Sequence, residues 1–363
     1  MNKIRAFLIP GLLFIIIFIG VKNLEFKSNE NTVKETLLAE SFVKNHLYEK
    51  NGLIKTDLLN QSDIYLSESI GLWMEYLVEK NDRYEFHKQY NVLKDYFMKD
   101  STLIPWRIEG EKLAPANALL DDLRIAKALS KAGEIWHTAI YTKTAKKIGE
   151  AIVQYNMQSN GFINHADIKS KQKGDILTLS YIDPDALHFM YEEKILTANQ
   201  YDLNLDTLLE APLSKSGFFP ETYYHLENSY TYNSEVNLID QYYIGYHRAL
   251  GGGDVSALVQ FTKDALTEYD GVLYGRFSDE TKDPVVDYEG ASVYALAILM
   301  CLEVEENALA IQLNDRMKDL QVADESEEYG GGYISLNNLD THAFDNLLPL
   351  LAERRGIDEG VFQ

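Results

Sequence analysis

Glu68 stands in the stretch Tyr65-Leu66-Ser67-Glu68-Ser69-Ile70-Gly71-Leu72-Trp73, one acid among apolar and aromatic neighbours where a helical pattern begins. Desolvation disfavours the charged form of a carboxyl group, so a glutamate so placed is expected to hold its proton to higher pH than a free one. A general acid working near neutral pH needs that property. The position also suits an ordinary helix-start acid satisfied by the dipole. Asp121, Asp122, Glu235 and Asp240 are the other candidate acids. Glycosidic bond cleavage takes two carboxyl groups, one protonating the leaving oxygen and one activating water or attacking. With 56 acidic residues in the chain, local pattern alone does not select the pair.

Other chemistries find less support. The one cysteine, Cys301, lies in the apolar run Tyr294-Ala295-Leu296-Ala297-Ile298-Leu299-Met300-Cys301-Leu302; it has no partner for an internal disulfide and reads as a small buried hydrophobe. No Gly-x-Ser-x-Gly elbow points to a serine hydrolase. The 8 histidines do not cluster at metal-ligand spacing. Asp183-Pro184, with Asp185 and His188 near it, reads better as a helix N-cap with proline at the first helical position than as a metal site. No metal and no cofactor are expected. Gly251-Gly252-Gly253 lacks the Lys-Ser/Thr of a phosphate loop and reads as a helix–helix connection, and Gly330-Gly331-Gly332 reads as a loop at a cleft rim.

The elements that must position these residues are mostly helical. Apolar residues recur at helical spacing in segments near 32–49, 66–80, 84–98, 117–132, 136–156, 183–196, 199–209, 233–249, 254–267, 289–303, 305–318 and 340–354. A short β-like piece, Gly271–Arg276, falls between two of them. There is no strand–helix alternation, which disfavours a doubly wound sheet or a TIM barrel. About twelve helices without an internal linker predict one all-α domain over residues 32–363, an (α/α)6 barrel of paired helices closed into a ring.

Residues 1–31 read differently. Lys3 and Arg5 precede an apolar run from Ala6 to Val21, interrupted by Pro10, Gly11 and Gly20. This is the pattern of a secretory signal or signal-anchor, with Lys22 able to snorkel and residues 23–31 forming a polar tether. No small-x-small cleavage site follows, so an uncleaved single-pass anchor with the domain outside the cell is expected, or a secreted domain if the segment is cut. The net charge of −22, from 56 acidic and 34 basic residues, would repel phosphate backbones, so nucleic acid is not an expected partner. The 24 Tyr, 15 Phe and 3 Trp suit a packed core and also the aromatic platforms of sugar clefts.

Four stretches, in order, resemble glycoside hydrolase family 8. Ser67-Glu68-Ser69-Ile70-Gly71 is similar to the family's Ser-Glu-Gly/Ala-x-Gly segment, and Leu103-Ile104-Pro105-Trp106-Arg107 to its Leu-Met-x-Trp segment. Asp121-Asp122-Leu123-Arg124-Ile125-Ala126, running on to Ala132-Gly133-Glu134-Ile135-Trp136, resembles its Asp-Ala-Asp-Leu helix, with Leu120 where the first Asp would stand. Ser180-Tyr181-Ile182-Asp183-Pro184 resembles its Pro-Ser-Tyr-x-x-Pro segment. The resemblance implies the (α/α)6 barrel and an inverting hydrolase, most akin to membrane-anchored exopolysaccharide-associated hydrolases of Gram-positive bacteria. It implies Glu68 as general acid and Asp122 as a substrate-gripping acid. Trp106, Arg107 and Tyr181 would line the sugar cleft, with Trp73 a further platform or wall or, equally, an ordinary core aromatic. The family's base falls at Asn233, where this chain has no acid; Glu235, two residues on, is the preferred replacement and Asp240 the next.

The function implied is an extracellular, endo-acting hydrolase of a β-linked polysaccharide. The anchor suggests the cell's own exopolysaccharide and the machinery that makes it. The altered base position suggests a substrate other than plain cellulose, such as a β-1,4-linked amino sugar polymer. The alternative, from Asn233 and Leu120, is a catalytically weak glycan-binding component of an exopolysaccharide synthesis complex.

Overall fold

In the computed structural model, which describes residues 32–363 apart from 62, 100 and 160, the helical periodicity resolves into twelve α-helices. These are α1 (Leu38–Phe42), α2 (Ser67–Glu79), α3 (Arg83–Val92), α4 (Leu119–Ile135), α5 (Ala139–Tyr155) and α6 (Pro184–Glu192), then α7 (Ala198–Leu209), α8 (Leu238–Leu250), α9 (Ser256–Glu268), α10 (Ala291–Glu303), α11 (Asn307–Asp319) and α12 (Phe344–Asp358). The signal-anchor and tether read from residues 1–31 lie outside the described residues. Among the described residues no helix is long and apolar enough to cross a membrane.

Every segment with helical spacing carries a helix, but two boundaries differ in ways that matter. The segment expected from residue 233 becomes helical only at Leu238, because Asn237 caps it by accepting the Ile239 N–H at 3.1 Å. Residues Glu235–Asn237 form a short strand paired with Arg276–Ser278. The last helix starts at Phe344 and runs past residue 354 with Pro349 inside it.

The even-numbered helices form a closed ring. α2 packs on α4, α4 on α6, α6 on α8, α8 on α10, α10 on α12, and α12 returns to α2. The odd-numbered helices pack outside, each beside an inner partner. α10 is buried from Ala291 to Leu302, which explains why its sequence is apolar all round and carries no stripe. The predicted (α/α)6 barrel is therefore the observed architecture.

Each step from an inner helix out to the next helix is a short turn, and each step back in is a long loop. Five of the short turns contain one residue in the left-handed region: Asn81, His137, Lys194, Gly252 and Glu305. A left-handed residue after the last helical turn is the usual helix stop. Gly252, at φ 77°, meets this without a side-chain penalty, so the Gly251–Gly253 run is the helix connection expected of it. The Gly330–Gly332 loop packs on α1, where a Cβ on Gly332 would fall 2.5 Å from the Phe42 ring. Because the short turns all lie at one end, the N-termini of all six inner helices gather at the other, under the long loops.

The ring also holds a buried ion cluster. Glu40 of α1 is fully buried, with Lys80 at 2.6 Å, Lys44 at 2.6 Å and the Tyr76 hydroxyl donating at 2.6 Å. Removing one partner of a buried pair leaves a charge with too little compensation. Lys80→Met is expected to destabilise the fold by about 3 kcal/mol in denaturant titration, and Glu40→Gln combined with it should recover part of the loss.

Candidate active site

Glu68 is the second residue of α2, half-buried at the end of the ring where the long loops lie. Burial is the largest cause that pushes its carboxyl up, from 4.5 to about 8; Asp121 repels it next, Arg124 opposes, and Asp345 adds a smaller repulsion. Ser67 before it is locked in place. Its N–H donates to the Trp106 carbonyl at 3.0 Å and its hydroxyl to Asp121 at 2.5 Å. The strand Ile64–Leu66 pairs with Arg107–Glu109, which ties the loop carrying Trp106 to the head of α2.

Asp121 opens α4 with a side chain shared between Ser67 and Arg124, the latter at 3.1 Å. Arg124 also donates to the Tyr243 hydroxyl at 2.9 Å and sits 3.5 Å from Glu75. Gly71 makes room for it, since a Cβ there would lie 3.0 Å from the Arg124 Cδ. Burial raises both Asp121 and Glu68, and the nearby Arg124 cation opposes the rise in each.

Across the ring, Asp240 lies in the first turn of α8. α2 and α8 are three places apart in a ring of six, so they face each other. Ser180 Oγ donates to Asp240 at 3.3 Å and Asn237 Nδ2 at 3.1 Å, and burial raises its pKa. Tyr181 sits between the two sides: after burial, the charges raising its hydroxyl to about 12 are Asp121, Asp240 and Glu68. Glu221 lies close to Asp240, whose charge together with burial raises it, and it accepts from Asn233. Asp345, in the first turn of α12, accepts from Ser292.

The structure thus brings together Glu68, Tyr181 and Asp240 of the residues singled out in the sequence. Trp106 stays 41% exposed on the loop tied to Ser67, and Arg107 beside it pairs with Glu109 at 3.0 Å. Three expectations need correction. Asp122 is fully buried and accepts from Asn117 at 2.9 Å, so it cannot grip a substrate; the helical phase of α4 turns Asp121 to the cleft instead. Glu235 is exposed on the strand that precedes α8, outside the ring of inner helices. Trp73 is fully buried against Tyr48 and Tyr76, a core residue and no sugar platform. Asn233 is exposed and reaches the site only through Glu221. Sequence reading passed over Arg124 and Asp345, charged residues in the opening turns of inner helices, and Glu221, which lies on the loop before the strand Thr222–Tyr224. Cys301 is fully buried and its thiol is pushed up to about 12 by burial, which leaves it inert.

The raised Glu68 carboxyl carries a pH consequence. An acid that must be protonated to work loses its function as pH passes its pKa, so turnover should fall above about pH 8. Stability follows the same sign. The folded state keeps a proton that the unfolded chain sheds near 4.5, so this contribution is complete below that value and is lost as pH rises to about 8. Melting temperatures of the protein and of Glu68→Gln should diverge over this window, the variant gaining as pH rises; parallel curves would refute the shift.

An acid-lined cleft over the N-termini of six inner helices defines a glycoside hydrolase of the (α/α)6 class. The chain matches the sequence model of the family described as Glycosyl hydrolases family 8 over residues 28–245, and it belongs to that family. It is 42% identical over 326 residues to YdaJ of Bacillus subtilis (strain 168), a protein named as a lipoprotein, covering 90% of this chain and 88% of that relative. Among solved structures, PssZ from Listeria monocytogenes is similar with a TM-score of 0.73 and 28% identity, over 88% of this chain and 97% of that one. An alpha-amylase from Clostridium perfringens reaches a TM-score of 0.80 at 23% identity, over 88% and 96%. The endo-beta-1,4-glucanase CMCax from Acetobacter xylinum reaches 0.61 at 16%, over 88% and 97%. The last two likenesses show the fold.

Proposed function

We propose that this glycoside hydrolase cuts within chains of a β-linked exopolysaccharide at the cell surface, inverting the anomeric centre, with Glu68 as general acid and Asp240 as general base. The observation that carries the reading is the placement of Glu68 and Asp240 at the heads of two facing inner helices with Tyr181 between them. Inverting enzymes need that arrangement, because a water must fit between the sugar and the base. Glu68 gives its proton to the glycosidic oxygen; Asp240, oriented by Ser180 and Asn237, takes a proton from the attacking water. Trp106 serves as an exposed stacking surface beside the acid. The crowd of carboxylates, with Asp121, Glu221 and Asp345 around the pair, suits a cationic amino sugar polymer better than a neutral glucan.

Attachment at the cell surface rests on the apolar N-terminal sequence; YdaJ is named as a lipoprotein, whereas the one cysteine here, Cys301, is buried in α10 and offers no site for a lipid. The described chain starts at the end of the barrel away from the cleft: the Lys34 N–H donates to the Lys80 carbonyl at 3.0 Å and Lys34 pairs with Asp358 at 2.7 Å. The test is release of new reducing ends from a panel of chitosan, cellulose, xylan, starch and the cell's own matrix polysaccharide. A rapid fall in viscosity with inverted products from a β-linked polymer is expected. Cleavage of starch alone would overturn the linkage, and binding without new ends would favour the glycan-binding alternative.

A further inference from the structure

The six inner helices also enclose a space at the end of the barrel remote from Glu68. A cavity of about 510 Å³ runs from Leu72, Leu120 and Tyr243 at mid-barrel to Glu79, Lys131 and Arg355 at the outgoing helix ends. Residues from all six inner helices line it, including Leu299 of α10 and Leu348 and Leu351 of α12. Its walls mix leucines with the buried ion pairs of Glu75, Arg124, Lys127 and Asp183, and its outer lining carries further charges.

The charge has a sign. Seven carboxylates line the cavity against four lysines and arginines. The deep ones are matched: Lys127 pairs with Glu75 at 2.8 Å and with Asp183 at 2.6 Å, and Arg124 holds Asp121. Glu134 and Glu192 near the outgoing ends of α4 and α6, and Asp185 in the first turn of α6, are exposed and make no ion pair among the described residues. The C-terminal ends of the inner helices add partial negative charge at the same opening. An anion would be repelled; a cation would be drawn in.

One buried atom points to what such a ligand must offer. His247 is 2% exposed, lines the cavity, and its Nδ1 has no hydrogen-bond partner. The neutral ring carries one hydrogen; assigning it to Nε2, the tautomer in which Nε2 donates toward the neighbouring Ser180 backbone, leaves Nδ1 an acceptor. Burial, the largest cause, holds the ring down to about 4, so it stays neutral and accepting at physiological pH. An unmet acceptor in a buried setting calls for an N–H or O–H donor.

We propose that this cavity is a second ligand site, separate from the cleft, for a small organic cation with an apolar body. One ammonium N–H is given to His247, the body lies along Leu299, Leu348 and Leu351, and further positive charge meets the exposed Asp185 and Glu192 along α6. Linear polyamines and amino sugars both answer this description.

The test is calorimetric titration of the full-length protein at about 0.15 M salt with spermidine in one arm and glucosamine in the other. One saturable site for either probe is expected, and the arm that saturates names the source. Asp185→Asn with Glu192→Gln, both at exposed positions, should weaken that site about tenfold. Glu327→Gln with Glu328→Gln, exposed acids elsewhere, should leave it unchanged. His247→Phe should weaken it further while circular dichroism stays the same. Binding by many weak sites that both double variants reduce alike would mark general attraction to an acidic chain and overturn the proposal. So would the absence of saturation by both probes.

Discussion

Glu68→Gln is expected to lower the rate of polysaccharide cleavage by about 10²- to 10⁴-fold while leaving substrate binding in place. Glutamine keeps the shape of the side chain and cannot release a proton. The carboxyl it replaces is half-buried, raised to about 8, and therefore protonated at the pH where the enzyme would act. The neighbours that set this state, Asp121 and Arg124, are untouched by the change. A control separates chemistry from damage. Substrates whose leaving group needs no proton, such as glycosyl fluorides, should be cleaved by the variant at rates near those of the unaltered protein. A variant that keeps more than about a tenth of the activity on polysaccharide would remove Glu68 from the role of acid.

Asp240→Asn is expected to cost about 10²- to 10⁴-fold as well, and Glu235→Gln less than about twofold. The contrast follows from where α8 begins. Its cap at Asn237 places Asp240 in the first helical turn, facing inward beside Ser180, and leaves Glu235 on an exposed strand outside the ring. A base must be ionised to take a proton from water, so the acidic limb of the rate profile should follow Asp240, whose pKa burial raises. Asp240→Asn should erase that limb along with the rate, since the asparagine does not titrate. Glu221 is an acid raised by the Asp240 charge, and Glu221→Gln serves as the third arm. Loss of activity in Glu235→Gln with Asp240→Asn left active would place the base on the strand and overturn the assignment.

Much of this architecture can be read from local pattern. Helical spacing located all twelve helices, because each buries one face against the ring and repeats its apolar residues to do so. Asp183 was legible as an N-cap, and the structure shows its carboxylate accepting the Asp185 and Ala186 N–H groups. The failures share a cause. Asp121 and Asp122 are adjacent and chemically alike, and the sequence does not say which one turns toward the cleft; a rotation of about 100° per residue along α4 does. Trp73 looked like a platform because it follows Glu68, yet five residues on a helix carry it round to the outer face. The start of α8 was misplaced because the backbone of Glu235–Asn237 pairs with Arg276–Ser278, a partner remote in sequence.

The sequence by itself determined that the chain makes paired helices and that an acid, Glu68, heads one of the inner ones in an apolar setting. Both are short-range properties, set by residue type and spacing within a few turns. Only the tertiary structure decided which carboxylate faces Glu68, which of two neighbouring aspartates lines the cleft, and that a second charged cavity lies at the far end of the barrel. Those depend on closing the ring, which sets α2 against α8 and gathers side chains from all six inner helices around one axis. No local pattern records that closure, because the burial that drives it is shared among helices far apart in the chain.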